Sequence, residues 1–87
     1  METGFRLGFG VTMPTRRFTL IVEGPDLQAE RVIDALFQAG CDDATVGRTD
    51  GVQYIEFDRE AKSLLQAVSS ALHDVENVEG VQITRVF

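Results

Sequence analysis

The sequence predicts an α+β domain in the order strand, helix, strand, strand, helix, strand. Three observations carry this expectation. Apolar residues recur at helical spacing in two stretches: Ala29, Val32, Ile33, Leu36, Phe37, and Ala61, Leu64, Leu65, Val68, Ala71, Leu72, Val75. Segments rich in β-branched and aromatic residues with apolar alternation stand beside them. Asp50-Gly51 lies between two such segments, and this pair is a strong hairpin signal because both turn residues take positive φ. Two right-handed crossovers around a hairpin give the ferredoxin-like βαββαβ fold. Its four-stranded antiparallel sheet is expected in the order 4-1-3-2, with two helices on one face.

The first strand is "RRFTLIVEG", closed by Gly-Pro, with Phe18, Leu20 and Val22 on one side and Thr19, Ile21 and Glu23 on the other. The first helix is "PDLQAERVIDALFQAG", with Asp26 as N-cap and Gly40 as a left-handed C-cap. "ATVGRTDGVQYIEFD" supplies the hairpin. "REAKSLLQAVSSALHDVENV" is the second helix, with Asp58 as N-cap and a break at Glu79-Gly80. "VQITRVF" is the last strand. The residues expected beneath the helices are Phe18, Leu20, Val22, Val46, Ile55, Phe57, Val81 and Ile83.

Residues 16–87 form the expected domain, and 1–15 an N-terminal extension. In the extension Phe5, Leu7, Phe9 and Val11 alternate with Arg6, Gly8 and Gly10, as in a glycine-rich arm or an extra strand. Met13 is an alternative initiator.

Composition narrows the function. The chain has 87 residues, 44% apolar and 25% charged, which is ordinary for one globular domain. Its net charge of -6, with only Arg16 and Arg17 adjacent among the cations, disfavours a phosphate backbone as partner. One cysteine permits no internal disulfide, and no apolar run is long enough to span a membrane. The N-terminus lacks the continuous apolar stretch of a signal peptide. A cytoplasmic protein is expected.

Site chemistry is sparse. Cys41, Asp42 and Asp43 follow the C-cap glycine and read as a polar turn with a half-buried thiol. Zinc wants three or four Cys and His ligands, and the chain has one of each. His73 falls off the apolar stripe of its helix and is expected in solvent. Asp42, Asp43 and Asp50 match no calcium loop. Neither Cys41 nor the mid-helix Ser69 and Ser70 has a local base, as nucleophilic catalysis would require. Acylphosphatases share the fold but need a glycine-rich loop with an arginine after the first strand, where this chain has "EGPDLQ". No catalytic residue, metal or cofactor is expected, and the chain reads as non-enzymatic.

The segment "DGVQYIEF" occupies the place of the main octapeptide of RNA-recognition domains. Gly51, Tyr54, Ile55 and Phe57 fit that pattern. Asp50 replaces its basic residue and Val52 its first stacking aromatic, while Ile21 stands at the stacking position of the first strand. Base stacking needs aromatics and phosphates need cations, so RNA binding is not expected. The comparison nevertheless singles out Ile21, Val52, Tyr54 and Val86 as an apolar strip on the face away from the helices. Thr19, Glu23, Glu56, Thr84 and Arg48 are mixed in or rim it. A fully solvated face is polar at such positions, so this one is expected to contact protein, in self-association or with another chain.

The stretches "FTLIVEG", "LFQAGCDDATVG" and "DGVQYIEFDREA" carry a resemblance. Residues 16 to 86 resemble the N-terminal region of small bacterial proteins, frequent in actinobacteria, that are described as hypothetical or as DNA-binding. In such proteins a helix-turn-helix segment typically follows the last strand. The present sequence ends at Phe87, where that segment would begin, so the resemblance implies no direct DNA contact by these residues. It implies an oligomerisation or partner-binding module, of a transcription regulator or an antitoxin-like protein. The alternative is an ACT-like small-ligand sensor, in which backbone N–H groups of "EGPDL" would hold a carboxylate, although Glu23 and Asp26 oppose one. A third reading, an acidic mimic of DNA, finds its acids on ordinary solvated helix faces.

Overall fold

In the computed structural model, which describes residues 13–87, the six elements occur in the predicted order. They are β1 (Thr15–Glu23), α1 (Glu30–Gln38), β2 (Ala44–Thr49), β3 (Val52–Glu60), α2 (Leu64–Glu76) and β4 (Gln82–Val86). All strand pairs are antiparallel, and the sheet order β2-β3-β1-β4 is the expected 4-1-3-2 read from its other edge. This α+β arrangement fits the ferredoxin-like pattern. The extension residues Phe5, Leu7, Phe9 and Val11 lie outside the described residues. Thr15 opens β1 opposite Glu60, one residue before the expected boundary.

Period-two alternation puts Phe18, Leu20, Val22, Ile55 and Phe57 into one core with Val32 and Leu36 of α1 and Ala67, Ala71 and Val75 of α2. Both helices therefore cover the same sheet face. Val81 is buried too, whereas Val46 and Ile83 pack at the margin of the core. Burying a Leu, Ile or Phe of this kind is worth about 1.5–3 kcal/mol each. Leu27, fully buried, belongs to no predicted stripe because it lies in the β1–α1 connection.

The hairpin turns as expected, with Asp50 at φ 52° and Gly51 at φ 79° between the paired Thr49 and Val52. Gly40, at φ 108°, donates its N–H to Phe37 O, and Cys41 N–H reaches Leu36 O. These two bonds close α1 in a Schellman motif, with Leu36 and Cys41 as its buried apolar pair.

Both predicted N-caps are displaced. Asp26 does not cap α1, which starts four residues later behind Ala29. Its carboxylate accepts from Gln28 N–H, and Leu27 N–H is taken by the Gln53 Oε1 at 2.8 Å, so the first turn never enters the helix. Asp58 does not cap α2 but continues β3 and meets Arg17 at 2.7 Å. Ser63 caps α2 instead, accepting Gln66 N–H at 3.1 Å. Ladder bonds to β1 hold residues 58–60 in the sheet against their helical pattern.

Two helical stripes are also only half used. Ile33 and Phe37 of α1 are 43% and 56% exposed, and Leu64 and Leu65 at the start of α2 lie in solvent. Ala67, absent from the predicted stripe, is fully buried.

Candidate interaction face and its surroundings

The sheet face away from the helices is built by residues one step out of phase with the core. Ile21 stands opposite Tyr54, and Tyr54 in turn opposite Gly47 of β2. Val52 ends the row opposite Thr49 and is 47% exposed. Any Cβ at position 47 would collide with the Tyr54 ring, so the phenol lies flat across the glycine. The ring thus covers a bare stretch of edge strand, as aromatic side chains do beside sheet glycines. Tyr54 and Ile21 are consequently half-buried rather than free-standing.

Val86 corrects the expectation. The pairing of β1 with β4 shifts by one residue between Ile21 and Val22. Val22 faces Ile83 before the shift, and Ile21 faces Arg85 after it. A bulge of this kind transfers every later residue to the opposite face. Val86 therefore pairs with Leu20 on the helix side of the sheet. Phe87 takes its intended place, exchanging two backbone hydrogen bonds with Thr19 at 2.8 and 3.1 Å. Phe87 is 66% exposed, and the Arg85 guanidinium lies 5.6 Å from its ring centroid. The open strip is thus Ile21, Val52, Tyr54 and Phe87, bordered by Thr19, Glu56 and Arg85. No sequence signal announces the bulge. Strict alternation through "VQITRVF" points to Val86.

Arg48 also leaves the open face, since it pairs with Gln53 on the helix side. Gln53 pins the β1–α1 loop: its Nε2 donates to Pro25 O, and its Oε1 accepts from Leu27 N–H and Arg48 Nη2. Arg48 Nη2 also reaches Asp26 Oδ1 at 3.2 Å. The N–H groups of Leu27, Gln28 and Ala29 are all engaged within this loop. A carboxylate arriving there would have to displace the chain's own acceptors.

The polar cluster at the other end of the sheet is centred on Arg59. Its five hydrogen bonds reach both carboxylate oxygens of Asp43, Asp74 Oδ2, Ser70 Oγ and Gly40 O. Its side chain is 11% exposed and lies over Phe57, 5.0 Å from the ring centroid. Hydrogen bonding to Asp43 raises its pKa further above the ordinary arginine value, burial opposing and Asp74 adding to the rise. A guanidinium has five N–H donors, so none is left for an incoming phosphate. Asp43 and Ser70 are thereby absorbed into a clasp that ties β3 to the α1–β2 loop and α2.

Cys41 is buried, and burial with the nearby Asp74 pushes its thiol up to about 11, against a lowering by Arg59. A thiol in this state stays protonated at neutral pH and is a poor nucleophile. Native protein is therefore expected to resist iodoacetamide at pH 8, near the ordinary thiol value, and to react once unfolded. The linkage has a definite sign. The folded value lies above the unfolded one, so this contribution to stability is complete below pH 9 and declines as pH rises towards 11. Urea midpoints across that window should fall more steeply for the native sequence than for Cys41→Ala; equal slopes would remove Cys41 from the linkage.

His73 is exposed at the end of α2. Asp42 and Asp43 share a loop remote from the turn residue Asp50, and no cluster of metal-ligating side chains occurs among the described residues. No helix among the described residues is long and apolar enough to cross a membrane.

The fold and its faces define a class: an α+β domain with one sheet face buried beneath helices and the other carrying an apolar strip. In comparisons with known proteins, no family model matches the chain, and no curated protein or solved structure matches it either.

Proposed function

We propose that this chain is a non-enzymatic protein-interaction module whose open sheet face is its recognition surface. The observation that carries the reading is the strip of Ile21, Val52, Tyr54 and Phe87, with Val52 and Phe87 47% and 66% exposed on a face that neither α1 nor α2 covers. An aromatic core within a polar rim is the composition of a protein contact. The groups that chemistry would need are engaged elsewhere: Arg59 in its clasp, Asp43 and Asp74 with it, and Cys41 held protonated. The setting is cytoplasmic, and a transcription regulator or an antitoxin-like complex is the kind of assembly the module serves, following the resemblance of residues 16 to 86. The ligand-sensor alternative has no such support, because the loop amides it needs are already bonded.

A photo-crosslinker placed at Thr19, in cells of the native host, tests the reading. One discrete protein adduct is expected, and Tyr54→Glu should remove it while shifting the melting temperature by only a few degrees, about 1 kcal/mol at most. Absence of any discrete adduct, or an adduct indifferent to Tyr54→Glu, would refute the assignment of this face.

A further inference from the structure

The edge strand β2 and the neighbouring surface of α1 form a second apolar surface, separate from the open face. Ile33 and Phe37 project from α1 and, with Cys41, Asp42 and Val46, line a groove of about 220 Å³ between helix and strand. Among the described residues that line it, Asp42 alone is charged. Beside the groove lies a strand edge that is unpaired among the described residues. The two-residue turn sets the hydrogen-bonding phase: Thr49, Gly47 and Thr45 bond inward to Val52, Tyr54 and Glu56. The bond from Asp58 N–H to Asp43 O, at 3.0 Å, continues the same phase. Ala44, Val46 and Arg48 therefore direct their N–H and C=O groups away from the sheet.

Strand edges left in this state recruit another strand, and proteins blunt them with lysine, proline, bulges or very short length. β2 has no lysine and no proline, and its pairing with β3 runs without a register shift. The opposite edge, β4, is blunted by the bulge in its pairing with β1. The asymmetry singles out β2.

We infer that a second copy of this chain occupies the surface, pairing β2 with β2 antiparallel about a two-fold axis at Val46. Val46 then stands opposite its own equivalent, and Ala44 opposite Arg48 of the other copy. All three outward residues of each strand find partners. Arg48 comes near Asp42, in the turn two residues before β2 of the other copy, and both are long or mobile enough to meet across the junction. That charge match is met by the same strand running antiparallel, and this makes the edge self-complementary. A two-fold axis perpendicular to the sheet keeps both helix layers on one side. The two α1 helices then lie side by side, and Ile33 and Phe37 close over the seam. Eight strands form one sheet, and the open face is doubled instead of consumed. The inference concerns the edge and does not rest on the reading of the face.

Sedimentation equilibrium of the full chain decides it. A mass of twice 9.6 kDa is expected. Phe37→Glu, at an exposed helix position, should weaken the dimer by a factor of about 30 or more, the scale of a central aromatic anchor. Arg48→Pro removes an outward N–H and no inward ladder bond, together with the guanidinium's contacts to Gln53 and Asp26, and should do the same. Circular dichroism melts confirm that both variants fold. Tyr54→Glu should leave the dimer intact. A folded monomer from micromolar to millimolar concentration overturns the proposal. So does a dimer that survives both edge variants, or one that Tyr54→Glu dissolves.

Discussion

Replacing Arg59 with alanine lowers the stability of the fold by about 3 kcal/mol, because two carboxylates and a carbonyl lose their shared donor. Asp43 and Asp74 are 28% and 23% exposed, so water reaches them only in part, and each would face the other's charge. That partial exposure keeps the loss at the lower end of what breaking a buried pair costs. In a domain of this length the loss corresponds to a fall in melting temperature of about 12–24 °C. Arg59→Lys should recover little of it, since an ammonium has three donors in place of a planar fork of five. Urea titration of the three proteins measures the differences. A loss below about 1 kcal/mol for Arg59→Ala would place the cluster among solvent-screened surface pairs. It would also reopen Arg59 as an anion ligand, and with it the functional reading.

The second large effect falls at Gly24. Its φ of 140° is sterically open to glycine, and a Cβ there would collide with the carbonyl oxygen of Gly80. Gly24→Ala is expected to cost about 2–4 kcal/mol, combining backbone strain with that collision. Gly80→Ala supplies the control. Gly80 also has positive φ, 86°, but its nearest obstacle is Pro25 Cδ at 3.4 Å, an ordinary contact. Its cost should stay near 1–2 kcal/mol, the left-handed penalty alone. Equal losses in the two variants would show that the approach of the β1–α1 loop to the start of β4 yields easily. The point bears on function, because the ligand-sensor alternative needs room at this loop. Gly24 and Gln53 hold it from two sides.

The main disagreements between pattern and structure come from single residues under competing local demands. Asp58 begins a sequence that looks like a helix start, yet its N–H bonds Asp43 O and its carboxylate meets Arg17. The strand gains ladder bonds that a helix N-terminus would forgo, and β3 runs on to Glu60. Asp26 has the chemistry of a cap, but Leu27 is drawn into the core and its amide to Gln53. Among the core positions the alternation of β1 and β3 was legible throughout, because a one-residue error there would expose Phe18, Leu20, Ile55 and Phe57 together. The open face was legible for Ile21, Val52 and Tyr54 by the same logic. It failed at Val86, where the bulge reverses the alternation and brings Phe87 and Arg85 forward.

The sequence by itself determined the order of elements, the Asp50-Gly51 turn, the Gly40 helix stop and the inner face of the sheet. Each depends on short-range chemistry: positive φ, side-chain period and apolar burial. Only the tertiary structure decided which halves of the helix stripes stay exposed and that Arg59 gathers groups from three elements. It also placed the bulge and set β2 at one edge of the described sheet. These outcomes depend on what packs across the sheet from a given residue. Hydrophobic period specifies that a side chain must be covered, but the covering partner is chosen by strand order and register.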